Sequence, residues 1–273
     1  MTLDGNGVRV DVRPISSMLP HEDVIPASVE RIASEIKHEG IQRDPIIVDA
    51  ESGAVLDGMH RLAAFSKLKL EYAVCCPVDY GSKTVELHRW ARVYSHGGMG
   101  DLGQALLDAG FSKERTLSEA FSLLDSRQCG LAALTQRGVF LQEDRINLQG
   151  AFAIERGLDA IAAESGWKRE FLPEDDVDSA LQDEEKAVVL VQRLGKDDVV
   201  AAARSGKLFP CKTSMHTIEL RPVAVNVSID RLGSLTGSEL RDQLRHSGGK
   251  LLPQGSYYQG RRYKEKLLLL NPD

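Results

Sequence analysis

The segment Val55-Leu56-Asp57-Gly58-Met59-His60-Arg61 has the residue types and spacing to hold an anion. Val55 and Leu56 read as the end of a buried strand, Gly58 permits a tight turn and close ligand approach, and Leu62 to Phe65 continue as a helix. His60 and Arg61 then stand at a helix N-terminus. Unpaired N–H groups and the positive end of the helix dipole favour a phosphate there, and a guanidinium can grip two phosphate oxygens at once. A bare strand–glycine–helix junction is also an ordinary turn, and Asp57 is also a helix cap.

A second polar concentration follows Pro210: Lys212, Thr213, Ser214, His216 and Thr217 supply an ammonium, three hydroxyls and an imidazole. This suits a ligand oxyanion, and an exposed loop is the alternative. Glu22 precedes the first helix as a carboxylate within reach of a general base's task or of simple helix entry. Trp90, at a strand end, is an aromatic wall or a core residue. His21 and His88 read as surface or packing histidines rather than metal ligands. Glu174-Asp175-Asp176-Val177-Asp178 reads as a solvated acidic loop, because a calcium loop needs regularly spaced oxygen ligands and a central glycine. No metal ligand set is assigned.

The elements that must position these residues follow from periodicity. Val29, Ile32, Ala33 and Ile36 share one face of a helix spanning Pro26 to Glu39, with Gly40 as its stop. Residues 45–49 and 54–57 read as paired strands around a turn at Glu51-Ser52-Gly53. The helix after Arg61 ends near Lys67 to Leu70. Ala73–Asp79 and Lys83–Trp90 read as strands joined in a hairpin at Tyr80-Gly81-Ser82. Residues 99–185 read as mostly helical, with Leu102, Ala105, Leu106 and Ala109 on one face and a second stripe from Leu117 to Leu124. A buried strand at 187–194 and a helix at 196–205, stopped by Gly206, come next. The aromatic and basic stretch Gly255 to Tyr263 reads as a terminal hairpin covering the core.

Composition bounds the partners. With 273 residues, 42% of them hydrophobic, the chain can bury a proper core. Its net charge of −6 makes the surface repel nucleic acid and anionic membranes, so any anion site is local. Cys75, Cys76, Cys129 and Cys211 lack zinc-like spacing and read as reduced thiols in a cytoplasm, the first two as core residues. The expectation is a cytoplasmic protein with no signal peptide and no membrane span. Its oligomeric state is unknown.

Several separated segments together resemble one family: Leu19-Pro20-His21-Glu22, Asp44-Pro45-Ile46-Ile47-Val48-Asp49, Val55 to Arg61, Val78-Asp79-Tyr80 with Trp90, and Lys212 to His216. The first part resembles the ParB/sulfiredoxin fold, whose Gly-x-x-Arg-type turn holds nucleotide phosphates. With Phe209-Pro210-x-Lys212-Thr213-x-x-His216 and Gly260-Arg261-Arg262-Tyr263, the chain is similar to the ParB-like free L-serine kinases, the archaeal ADP-dependent kinase among them. It departs from the family pattern at Cys211 and Met215, where a proline and a basic residue are usual, and at Met59, where histidine is usual.

The resemblance implies an α+β protein. Its ParB/sulfiredoxin-like nucleotide-binding domain would span residues 1–95, and a helical and mixed α/β lobe, residues 96–273, would complete a cleft. It implies a kinase that moves a phosphoryl group from a nucleotide, ADP (leaving AMP) ahead of ATP, to free L-serine, giving O-phospho-L-serine that could feed cysteine synthesis. Glu22 would accept the serine hydroxyl proton. Gly58, Met59, His60 and Arg61 would hold the phosphates, and Lys212, Thr213, Ser214 and His216 would stabilise the migrating group. Asp57 would orient a Mg²⁺ through its waters or bind the serine amino group, and Trp90 and His216 would line the amino-acid pocket. The alternative is a nucleotide-switched, ParB-like DNA-binding or transcription regulator, which normally adds a basic helix-turn-helix that the acidic stretch 99–185 does not suggest.

Overall fold

The computed structural model describes residues 8–95, 111–113, 116–136, 138–142, 146–246 and 249–271. The chain divides into two compact units, one formed by Met1–Leu87, Lys196–Cys211 and His216–Asp273, the other by His88–Gly195 and Lys212–Met215. A single cut at residue 95 therefore gives way to an interleaved division. The physical reason is a shared core: Val225, Val227, Leu240, Leu244 and Leu268 bury themselves against Val8, Val10 and Val74. Among the described residues no helix is long and apolar enough to cross a membrane.

The first unit begins with β1 (Asp11–Pro14) and α1 (Pro26–Glu39), followed by β2 (Ile46–Asp49), β3 (Val55–Asp57), α2 (Met59–Lys67) and β4 (Tyr72–Val78). Proline at the first turn of α1 loses no hydrogen bond, and Gly40, at φ 69°, closes the helix in the left-handed conformation. The strands order β1–β4–β2–β3. β2 runs parallel to β4, with Ile47 opposite Cys76, and antiparallel to β3, with Val48 opposite Val55. Val29, Ala33 and Ile36 of α1 and Leu62 and Phe65 of α2 pack on Ile46, Val48 and Val55, each fully buried aliphatic contributing roughly 1.5–3 kcal/mol. This anchors β3 and α2, and with them the turn at Gly58.

The second unit is built on the long β5 (Val85–Ser95), which crosses into it from the first. The elements after it are α3 (Leu117–Asp125), β6 (Leu131–Thr135), β7 (Gly138–Leu141), α4 (Leu148–Glu164), β8 (Lys168–Pro173), α5 (Val177–Ala180) and β9 (Lys186–Val191). The sheet orders β8–β5–β9–β6–β7. The hairpin expected between 73–79 and 83–90 does not form: β4 pairs with β1 and β2, and β5 with β8 and β9. Among the described residues of 99–185 the strands β6, β7 and β8 stand beside the helices. The stripe at Leu102, Ala105, Leu106 and Ala109 falls outside the described residues. The second stripe is α3, opened by a reciprocal cap between Thr116 and Glu119.

The chain then returns through α6 (Lys196–Ser205), β10 (Ser214–Ile218), β11 (Leu220–Val223), α7 (Gly237–His246), β12 (Lys250–Leu252), β13 (Tyr257–Tyr258), β14 (Arg261–Arg262) and β15 (Lys266–Leu269). β11 runs parallel to β15, and β12 antiparallel to it. β13 and β14 form the expected hairpin, and Tyr263 beyond it is buried.

Candidate functional site

Gly58 caps α2 at φ 103°, with no side-chain cap. The N-cap residue is thus Gly58 and not Asp57. Asp57 Oδ2 accepts from Arg61 Nη2 at 3.0 Å and Arg221 Nη1 at 3.1 Å. Arg61 folds back over its own turn, so that a Cβ on Gly58 would meet Arg61 Nη2 at 2.8 Å. The backbone angle therefore favours glycine, and a Cβ there would also push aside the guanidinium lying on the turn. Arg61 also reaches Asp44 at 3.6 Å, while its buried Nε has no hydrogen-bond partner. Met59, partly buried, packs its side chain against the α1–α2 core.

The Glu22 segment is docked on the same turn. Leu19 pairs with Ala54, and the Val55 N–H donates to the Leu19 carbonyl at 2.9 Å. His60 Nε2 accepts the Ile25 N–H at 3.0 Å, so that nitrogen is engaged and the imidazole proton sits on Nδ1. Glu22 itself is buried, bridged through its main chain to Phe209, with His21 Nε2 3.7 Å from its Oε1. His21 is a packing histidine, as expected, fully buried edge-on to Phe209 and His216. Burial pushes its pKa below the ordinary value against the pull of Glu22. His88 lies in the second unit, 3.8 Å from Glu174.

Lys212 to His216 is not an exposed loop. Thr213 and Ser214 are buried, and Ser214 to Ile218 form β10, which pairs with β5. His216, in the first unit, shares a hydrogen bond of 2.8 Å between its Nε2 and the buried Tyr80 hydroxyl. Burial first, then the neighbouring His21, holds His216 well below the ordinary histidine pKa. Its carbonyl accepts from Arg221 Nη2 at 3.0 Å, so Arg221 joins His216 to Asp57. The structure thus brings Glu22, Asp57, Gly58, His60, Arg61 and His216 together within one unit. Lys212, Thr213, Ser214 and Trp90 belong to the other. There the Lys212 ammonium lies 4.8 Å from the Trp90 ring centroid, and the Trp90 N–H donates to the Thr213 carbonyl at 3.2 Å. Trp90 is in mid-strand, not at a strand end.

A cavity of about 520 Å³ opens in the first unit, lined by Ile41, Arg43, Asn226, Tyr258, Gln259 and Asn271 among others. Asn226, Gln259 and the adjoining Ala224 hold positive φ, a strain that clusters at ligand sites. Asp44 ties this wall to Arg61: it accepts the Ala224 N–H at 2.9 Å on one oxygen and faces Arg61 with the other. Burial, then Asp44, push the Tyr258 hydroxyl up to about 12.

Sequence reasoning missed Arg221, Tyr80 as a partner of His216, and this cavity. The signal for Arg221 was a charge inside the strand-like run Leu220 to Val225. Among the described residues no group of three or more His, Cys, Asp or Glu side chains forms a metal cage.

No family model matches the chain. It is 23% identical over 228 residues to the ATP-dependent L-serine kinase of Staphylothermus marinus, covering 80% of this chain and 89% of that one. It is 22% identical over 232 residues to the ADP-dependent L-serine kinase of Thermococcus kodakarensis, covering 80% and 90%. Among solved structures, a free serine kinase in complex with AMP superposes with a TM-score of 0.69 at 20% identity, over 85% of this chain and 97% of that one. The resemblance read in the motifs therefore extends over most of the chain, and the fold is that of the free serine kinase.

Proposed function

We propose that this chain is a phosphotransferase that moves a phosphoryl group from a nucleotide to the hydroxyl of free L-serine, giving O-phospho-L-serine. The observation that carries the reading is the turn at Gly58. A guanidinium is folded over a helix N-terminus beside the Asp57 carboxylate, in a chain similar along its length to L-serine kinases. ADP is the donor in this reading and AMP its product. ATP as donor is the other outcome of the same assay.

Phosphoryl transfer depends mainly on positioning and charge neutralisation. Arg61, with the main-chain N–H groups that open α2, would take the phosphates, exchanging its carboxylate partners for phosphate oxygens. The cavity beside Asp44 has the size and the aromatic and carboxamide lining for the base. Asp57 puts a negative charge next to the cradle, where it would meet the serine ammonium or a nucleotide-borne cation. Asp57 would help hold a Mg²⁺ carried by the nucleotide's own phosphates, since among the described residues no cage of His, Cys, Asp or Glu side chains is formed for one. When bound, the ion would neutralise phosphate charge.

Glu22 would accept the serine hydroxyl proton, its burial shielding it from bulk water. Incubating the protein with serine, Mg²⁺ and each nucleoside di- and triphosphate, then weighing product and spent nucleotide by mass spectrometry, tests the whole reading. Phosphoserine and AMP are expected from ADP, and no phosphoserine from any donor overturns it. In the same assay Glu22→Gln should lower turnover by about 10²- to 10⁴-fold while nucleotide binding survives. Unchanged turnover removes Glu22 from the chemistry.

A further inference from the structure

Five charged side chains in the first unit alternate in sign: Asp44, Arg61, Asp57, Arg221 and Glu265. The two guanidiniums meet on a single oxygen, Oδ2 of Asp57. They are held very differently. Arg61 is partly exposed, its Nε has no hydrogen-bond partner, and its second carboxylate is a long 3.6 Å away. Arg221 is locked in. Only 3% of its side chain is exposed, Nε donates to Glu265 at 2.8 Å, Nη2 lies 2.6 Å from the same carboxylate oxygen, and Nη2 also donates to the His216 carbonyl. Burial alone would disfavour the charge on Arg221. Asp57 and Glu265 outweigh it and raise the guanidinium pKa above its ordinary value. Moving Arg221 would strand Glu265, itself buried, without its counter-charge, a strongly unfavourable arrangement.

We infer that Arg221 is the positioning residue of this site: it holds the Asp57 carboxylate aimed while Arg61 leaves it to take hold of phosphate. The inference rests on the kinase reading, in which Asp57 meets a substrate cation. An anion arriving at α2 competes with Asp44 and Asp57 for Arg61, and Arg61 is the member of the chain free to exchange. Asp57 then keeps one guanidinium instead of two. The site gains a phosphate ligand without releasing its carboxylate. Because Arg221 also binds the His216 main chain, it fixes the spacing between β10 and the cradle turn.

The test is a double-mutant cycle on serine phosphorylation, with Arg221→Lys, Asp57→Asn and the two combined. Lysine keeps the charge but cannot bridge three acceptors as a planar fork does. Arg221→Lys should lower kcat by about 10- to 100-fold with KM for the nucleotide nearly unchanged. In the Asp57→Asn background the same change should cost less than about 2-fold, because the residue it acts through is already disabled. Multiplicative losses would overturn the role, as would a fall confined to nucleotide KM. If Arg221→Lys proves unfolded by circular dichroism, the charge-balanced pair Arg221→Met with Glu265→Gln replaces it, and the same non-additivity with Asp57→Asn is required. Wild-type turnover separates the two readings. Its absence ends the kinase assignment and this role with it, while its presence with multiplicative losses ends only the role of Arg221.

Discussion

At the scale of single residues, Gly58 tests whether the turn is a ligand cradle or only a turn. Its φ of 103° and the closeness of Arg61 mean that a methyl group must strain the backbone and displace the guanidinium. Gly58→Ala should cost about 1–3 kcal/mol of stability and weaken nucleotide binding about 10-fold or more, the loss of one charge-assisted contact. Gly206, at φ 68° with open space around its α-carbon, is the control. Gly206→Ala should lose stability alone. Calorimetric titration with ADP beside thermal melts separates the two, and equal nucleotide affinity in both variants speaks against the cradle. Asp57 to Arg61 was legible in the chain because a strand end, a glycine and a helix start are local signals. Arg221 was not legible as a partner of Asp57, since the two are 164 positions apart and only folding makes them neighbours.

Among the elements, legibility tracked how far local preference agreed with tertiary packing. α1 agrees at every level, from Pro26 through its apolar face to Gly40, and its limits match those read from the residues. Leu131-Ala132-Ala133-Leu134-Thr135 does not. Leucine and alanine favour a helix, and a strand buried on both faces shows no alternation to betray it. The acidic run from Glu174 misled for a related reason. Acidic residues read as solvated, yet Glu174 is buried because β5 sends Arg89 to it at 2.6 Å and Arg193 joins at 3.2 Å. Arg89 also binds Asp125 and the Val191 carbonyl, so one guanidinium ties β5, α3 and β9 together. Removing Glu174 leaves a buried Arg89 short of charge. Glu174→Ala should therefore destabilise the protein by about 3–5 kcal/mol, while Ala at the exposed Asp175 or Asp178 should change stability by less than about 0.5 kcal/mol. Urea denaturation of the three variants decides it. Equal, small effects would return Glu174 to the solvated loop.

For the molecule as a whole, chain order is a poor guide to which parts fold together. Residues beyond 195 largely rejoin the first ninety, and that return creates the buried imidazole cluster of His21, His216 and Tyr80. The cluster ties global stability to pH. Burial lowers both imidazole pKa values in the folded chain, opposed at His21 by Glu22 and at His216 by Asp57. Unfolded, both would titrate near 6.5. Below that pH the unfolded chain binds protons that the folded chain refuses, so stability present above about 6.5 is lost as pH falls toward the lowered folded values. The slope is at most about 1.4 kcal/mol per pH unit for each imidazole. Asp49 lies outside this window. Burial opposes its charge, but hydrogen bonds from Ser52 win and hold it below the ordinary carboxylate value, so its contribution disappears only in stronger acid. Thermal melts between pH 5 and pH 8 should therefore show wild type losing stability below about 6.5, more gently in His21→Asn than in wild type. The change His38→Gln, at an exposed position, should leave the wild-type slope intact. A slope identical in all three proteins would mean that the buried His21 ring protonates as readily folded as unfolded.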